Sequence, residues 1–287
     1  MLRASMSIDI HVHPLMVKEL TDKRPSLHED AKELFDLRTN PQPLSTLLDE
    51  MKVCHIERSV LLPIDCQKIH DSKMPSNDEV AALVKQREKQ LIGFASVDPD
   101  SRTSALAEMR RTKDELGLRG LKLNPAMQAF DPASSTALDV YKEAERLEMP
   151  ILVHTGITFS NRFSIRNNQP LIYDDIARKH PKLKICLAHM GWPWLWDAVM
   201  VAIRNPNVFL DTAGCYAGTP VEHLRQITST LSSRIIENVL GERLMFGSDF
   251  PRIEMNKMYE AVCALPIRPD ALTAILGGNA LTFLGEE

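Results

Sequence analysis

Asp9-Ile10-His11-Val12-His13-Pro14 is the stretch on which the reading of this 287-residue chain turns. As a β-strand, whose side chains alternate at period two, it puts His11 and His13 on one face, so that two imidazoles approach one point. Neutral imidazole is a common ligand for divalent metals, so the pair raises a metal site as one reading. A polar strand end with merely solvated histidines is the bland alternative, and the rest of the chain decides between them.

Outward from that stretch, short apolar runs recur at 59–65, 91–98, 118–124, 150–156, 184–191, 208–213 and 244–251. Each reads as a buried parallel strand. Between them lie helical patterns. Residues 44–54 carry Leu44, Leu47, Leu48 and Met51 at amphipathic spacing, and Ser76-Asn77-Asp78-Glu79 has the form of a capping box ahead of Val80, Leu83 and Val84. Further helices are expected over 103–116, stopped at Gly117, and over 137–147, 171–180, 194–203 and 220–240.

Eight apolar strands alternating with helices make the α/β pattern of a (β/α)8 TIM barrel, and the length fits one. An open doubly wound sheet would need a Gly-rich phosphate turn after its first strand, where His-Val-His-Pro stands instead. With no internal repeat or linker, residues 1–287 are expected to form a single barrel domain. Residues 14–43, broken by Pro25, Pro41 and Pro43, read as an excursion with a helical piece at 28–37. The tail, at 269–276 and 279–284, is expected to add helices outside the barrel.

Composition excludes several classes. Thirty-four Lys and Arg against 38 Asp and Glu give a net charge of -4 with no basic stripe, so nothing points to nucleic acid or an anionic membrane. No apolar run approaches the ~18 residues of a membrane span, and no hydrophobic segment near the start is long enough for a signal peptide, so a cytoplasmic protein is expected. Cys54, Cys66, Cys186, Cys215 and Cys263 are scattered and odd in number, which argues against a disulfide framework and against a cysteine zinc knuckle.

The polar residues fall at one place in this scheme. His11 and His13 end the first strand, Asp65 the second, Asp98 the third, Lys122 and Asn124 the fourth, His154 the fifth, His189 the sixth, Asp211 the seventh and Asp249 the eighth. In a barrel these ends converge on one mouth, where active sites sit. His11, His13, His154 and Asp249 form the strongest subset, a three-imidazole, one-carboxylate set suited to Zn²⁺ and also to Mn²⁺, Fe²⁺ or Co²⁺.

Asp249 can also exchange a proton through its second oxygen. His189 is a fifth ligand or an acid/base beside the metal, with a satisfied core histidine as the bland reading. Lys122 is either carboxylated between two metals, an ammonium for a substrate carboxylate, or a snorkelling lysine at the rim. Asp9 is expected to face away from the barrel interior and tie its strand to a neighbour. Asp65, Asp98 and Asp211 read as loop-capping carboxylates. Of Trp192, Trp194 and Trp196, at least two are expected to pack helices, and Trp192 is a candidate for the pocket lining; His180 is placed on the far side of the barrel.

These residues, with Gly93 to Pro99, Gly120 to Pro125, Val153-His154-Thr155-Gly156, Ala188-His189-Met190-Gly191, Gly247-Ser248-Asp249-Phe250-Pro251 and Gly278-Asn279-Ala280, resemble the amidohydrolase superfamily. The branch resembled is the compact one related to aminocarboxymuconate semialdehyde decarboxylase. The resemblance implies a TIM barrel with one divalent metal, Zn²⁺ before Mn²⁺, on His11, His13, His154 and Asp249, with His189 as catalytic histidine. A binuclear site with a carboxylated Lys122 is the alternative, and a homodimer is implied.

Two reactions fit. The leading one is hydrolysis of an ester, lactone or amide, with Asp249 taking the proton of a metal-bound water and Lys122 or Arg252 holding a substrate carboxylate. The alternative is non-oxidative decarboxylation of an aromatic or unsaturated acid. A barrel that has lost catalysis is the third reading, opposed by the presence of every expected ligand. Lys18, Lys23, Arg24, Arg162 and Arg166, in the segments expected to overhang the mouth, make an anionic small-molecule substrate the expectation.

Overall fold

The computed structural model of the chain describes residues 6–158, 161, 164–216 and 218–286. Its frame is eight parallel strands: β1 (Ile8–Val12), β2 (Arg58–Leu61), β3 (Leu91–Gly93), β4 (Leu121–Leu123), β5 (Ile151–Val153), β6 (Ile185–Leu187), β7 (Val208–Asp211) and β8 (Leu244–Met245). β1 to β3 form one ladder and β4 to β8 another. Parallel bridges Ala95↔Leu121 and Val12↔Phe250 join the two ladders at both seams and close the barrel. The strands are shorter than their apolar runs because the last residues of each run leave the ladder and enter the mouth.

Two apolar layers hold this frame. Ile8, Ile10, Val60, Leu62, Ile92, Phe94, Leu152, Cys186, Ala188, Phe209 and Met245 fill the barrel, while the alternate strand residues, such as Leu61, Leu121, Val153 and Leu210, pack outward against the helices. That alternation is the period-two side-chain rule at work on strands buried on both faces. The tail differs from expectation. Its last helix, Asn279–Leu284, sends Phe283 into the interior layer, with ring centroids 5.3 Å from Phe209 and 6.4 Å from Phe94, so the tail plugs the floor. Arg58 and Arg119 clasp Glu286 just beyond it.

The local signals hold in detail. Ser76 Oγ accepts from the Glu79 amide at 3.2 Å and Glu79 Oε2 from the Ser76 amide at 2.8 Å, a complete capping box on helix Asn77–Gln86. Gly117 follows helix Arg102–Asp114 with φ +68°, the left-handed conformation that glycine adopts without strain. Helix Met255–Cys263 and the small antiparallel pair Ile64–Asp65 with Lys73–Met74 were not expected. Among the described residues no disulfide forms, Cys54, Cys66 and Cys186 are buried, and no helix is long and apolar enough to cross a membrane.

β1 departs from strict alternation. Its register to β2 runs Asp9↔Ser59 and then Val12↔Leu61, three residues against two, which is a β-bulge. The extra residue lets Ile10 and His11 both face inward, so Asp9 points away from the interior although its number shares parity with His11 and His13. Asp9 thus lies where the sequence reading placed it, for a reason that alternation alone does not supply.

Candidate active site

The C-terminal ends of the strands open into a cavity of about 650 Å³ lined by His13, Lys122, His154, His189, Asp249 and Arg252, with Leu15, Leu34, Phe35, Ile64 and Met127 as its apolar wall. The excursion after β1 does overhang this mouth. It contributes Glu33, Phe35 and Asp36 rather than cations. Lys18 pairs with Asp22 at 2.6 Å, Arg24 with Glu79 at 2.7 Å, and neither these two nor Lys23 and Arg166 line the cavity. Arg162 lies outside the described residues. The positive charge expected on the loops therefore sits instead on Lys122, deep in the barrel, and on Arg252.

Second partners fix the tautomer of each imidazole. His13 Nδ1 lies 2.9 Å from the Leu62 carbonyl and His189 Nδ1 3.0 Å from the Ala213 carbonyl, and a carbonyl can only accept, so both Nδ1 atoms carry the hydrogen. Burial, with the Lys122 cation adding to it, holds His11 and His154 well below the usual imidazole range and takes His13 down to about 3. His189 is lowered likewise, chiefly by burial. Neutral rings leave Nε2 of His13 and His189 as acceptors.

His189 Nε2, 3.0 Å from His154 Nδ1, then requires the hydrogen on His154 Nδ1. That leaves His154 Nε2 with a lone pair, buried and without a hydrogen-bond partner. His11 Nδ1 donates to Asp211 Oδ2 at 2.8 Å, so its Nε2 also carries a lone pair. His11 Nε2 and His13 Nε2 face each other at 3.2 Å, with Asp249 Oδ1 at 3.8 Å and 4.0 Å from them. Lys122 Nζ, 3.2 Å from His11 Nε2, can donate to one of these lone pairs, but the His13 Nε2 lone pair still faces it with no donor, beside a carboxylate oxygen, which is the chemistry of a metal donor set. His11, His13 and Asp249 have ligand atoms within 4.8 Å of one another, as do His11, His189 and Asp211; His154 is in neither group but lines the same cavity, with its orphan nitrogen available. The residues present fit a divalent metal.

Asp211 is the residue that sequence reading undervalued. It does cap a loop, accepting the His189 amide at 2.7 Å and the Ala213 amide at 3.2 Å through Oδ1, but Oδ2 also orients His11. Burial raises its carboxyl to about 7, against the pull of those amides and of Lys122. His189 sits at φ +60° and Asp249 at φ +64°, left-handed backbone that is uncommon for non-glycine residues, Asp and His being among the more tolerant.

Lys122 is fully buried, not at the rim; its Nζ is 3.2 Å from His11 Nε2, and burial lowers it to about 8. Trp192 does not line the cavity. It stacks on Tyr216 at 5.2 Å, and Tyr216 in turn meets His189 edge-on and lies under the Arg252 guanidinium at 5.9 Å. Trp196 is 46% exposed on helix Leu195–Arg204, so it is not one of the packing tryptophans. Asp65 and Asp98 cap the local turns as expected, and His180 lies at the end of helix Ile172–Lys179, facing Glu145.

The chain has relatives among known proteins. The 2-amino-3-carboxymuconate-6-semialdehyde decarboxylase of Dictyostelium discoideum is 22% identical over 242 residues, 73% of this chain and 65% of that protein, so the chain spans just under two thirds of that relative. A gamma-resorcylate decarboxylase of Rhodococcus jostii is 26% identical over 249 residues, 72% of this chain and 74% of the relative. The crystal structure of 5-carboxyvanillate decarboxylase from Novosphingobium aromaticivorans, solved with manganese and 4-hydroxy-3-methoxy-5-nitrobenzoic acid, superposes with a TM-score of 0.70 over 99% of this chain and 97% of its own, at 15% identity. That likeness shows a shared fold. The amidohydrolase family model matches residues 8–285, the whole barrel from the first residue of β1 to the floor plug, and the chain belongs to that family.

Proposed function

We propose that the protein is a metal-dependent, non-oxidative decarboxylase of a small aromatic or unsaturated carboxylic acid, with its metal on His11, His13, His154 and Asp249. The observation that carries the metal is the set of Nε2 lone pairs of His11, His13 and His154 beside the Asp249 carboxylate. The relatives favour this lyase reaction over the hydrolysis that leads in the sequence reading. Zn²⁺ and Mn²⁺ both suit nitrogen and oxygen donors, and the proposed site holds a single ion.

When bound, the metal supplies a Lewis acid for the substrate carboxylate and an adjacent oxygen. The protein's own groups do the remainder. Lys122 and Arg252 bring positive charge to an anionic substrate, and Leu34, Phe35 and Met127 give a flat ring an apolar wall that excludes water. The bond between the substrate carbon and its carboxylate breaks, its electron pair stays on that carbon, carbon dioxide leaves, and a proton is added in its place. Asp249 and His189 are the candidate donors. His189 Nε2 is engaged by His154 Nδ1, so Asp249 is taken as the proton carrier.

The test is a paired panel on Zn²⁺- and Mn²⁺-loaded protein. Hydroxybenzoic acids such as gamma-resorcylate and 5-carboxyvanillate are followed by carbon dioxide release, and lactones and amides by hydrolysis. Carbon dioxide release that chelation abolishes and metal restores is the expected result. Lactone or amide turnover with no release from any acid returns the hydrolase, and metal-independent turnover sinks the metal reading.

A further inference from the structure

The seam between β1 and β8 carries both halves of the proposed metal set, and its hydrogen bonds are irregular at one point. Ile10 N donates to the Phe246 carbonyl at 3.0 Å. In an unbroken parallel ladder the amide two residues beyond that carbonyl, Ser248 N–H, would return to the Ile10 carbonyl. Here it goes to Asp9 Oδ1 at 3.0 Å. The same Oδ1 accepts the His11 amide, also at 3.0 Å. Beyond this point the seam resumes with a shifted register, Asp249 N to the His11 carbonyl at 3.0 Å and His13 N to the Phe250 carbonyl at 2.8 Å.

The bulge that turns His11 into the barrel therefore diverts two amides from regular ladder partners, and one carboxylate oxygen takes both. Buried amides left without an acceptor would cost about 1–3 kcal/mol each, so that oxygen decides whether the bulge is tolerated. Asp9 is fully buried and does not line the cavity at the mouth.

We propose that Asp9 is a positioning residue: its Oδ1 is the shared acceptor that holds open the β1 bulge and docks the Ser248-Asp249 turn, so that His11 and Asp249 face the same point. The inference rests on the metal reading given above. It goes further in assigning the metal geometry to one oxygen atom at one distance from the backbone, independent of the charge that the carboxylate carries.

Two variants separate geometry from charge. Asp9→Asn keeps the Oδ1 acceptor at the same reach and removes the charge; Asp9→Glu keeps the charge and moves the oxygens by one methylene. Zn²⁺ dissociation constants are measured by competition with a chromophoric chelator on folded protein, with Tm recorded for each metal-free variant. Asp9→Asn is expected to stay within a few-fold of the parent protein, and Asp9→Glu to lose roughly 10–100-fold in affinity, the range typical of groups that orient metal ligands.

A merely structural carboxylate would lower Tm in one or both variants while leaving the affinity of the folded fraction unchanged, and that result overturns the proposal. So does an Asp9→Asn protein that loses as much affinity as Asp9→Glu, because the effect would then not be independent of charge. If Asp9→Glu fails to fold, Asp9→Ser, which shortens the reach, carries the same expectation. A parent protein that binds no Zn²⁺ refutes the metal reading itself, an outcome distinct from the others.

Discussion

The two ends of the barrel use the same eight strands for opposite purposes. At the floor, Ile8, Ile92, Leu152, Phe209 and Met245 close around Phe283 in one apolar layer. At the mouth, within a few residues along each strand, His11, Lys122, His154, Asp211 and Asp249 crowd into an equally buried space. The floor is held by apolar contact, which is insensitive to small displacements of any one atom. The mouth is held by directed hydrogen bonds, in which each donor and acceptor fixes the protonation of the next, so its free energy is concentrated in a few atoms. Stability and chemistry are thereby separable along the barrel axis, and variants at the two ends should fail in different ways.

The largest effect belongs to the mouth. His13→Ala is expected to abolish metal binding and turnover while circular dichroism and the unfolding transition stay close to those of the parent. A metal-loaded, active His13→Ala protein would break the assignment. Phe283→Ala should do the reverse, lowering stability by about 3–5 kcal/mol through lost burial and the cavity left behind, while folded protein keeps its metal stoichiometry and turnover. Chemical denaturation with parallel metal analysis reads both quantities, and a Phe283→Ala protein that lost metal without losing stability would erase the distinction between the ends.

That distinction was only half legible in the sequence. The mouth was: a strand's last residues face a predictable place, so His11, His13, His154, His189, Lys122 and Asp249 were found by where they fall in their apolar runs. Helix caps were legible as well, since a capping box is local chemistry. The floor plug was not, because nothing in Asn279 to Leu284 says that its phenylalanine reaches back across the chain to Phe94 and Phe209. Nor was the role of Asp211, which shares its spacing with ordinary loop caps and differs only in having His11 within 2.8 Å. The loop cations failed as a signal because Arg24 pairs with Glu79, a partner outside its own segment, and Lys18 with Asp22 one helical turn on.

A smaller effect sharpens the comparison inside the mouth. Lys122→Met keeps most of the side chain's volume and removes its charge, and is expected to raise KM for a carboxylate substrate by roughly 10–100-fold, the worth of a charge-assisted hydrogen bond, with less change in kcat. A Lys122→Met enzyme with unchanged KM would remove the lysine from substrate binding.

The smallest effect is at the floor. Hydrogen bonds from Arg58, and then from Arg119, hold the Glu286 carboxyl down at about 2 against an ordinary 4.5, with burial opposing them. A depressed folded-state value stabilises above the unfolded one and is lost as pH falls through the folded one. The Tm difference between the parent and Glu286→Gln should therefore be present at neutral pH and close between about 4.5 and about 2. A difference that widens on acidification would contradict the pairing.

The central claim is that the lone-pair cluster at the mouth holds a metal that serves to replace a carboxylate by a proton. Its most direct measurement is turnover of a hydroxybenzoic acid by metal-loaded protein in D2O, with the product followed by NMR before and after chelation. Release of carbon dioxide, with one deuterium on the carbon that bore the carboxylate and complete dependence on the metal, is the predicted result. Product formed without deuterium at that carbon, or formed at the same rate after the metal is removed, would contradict it.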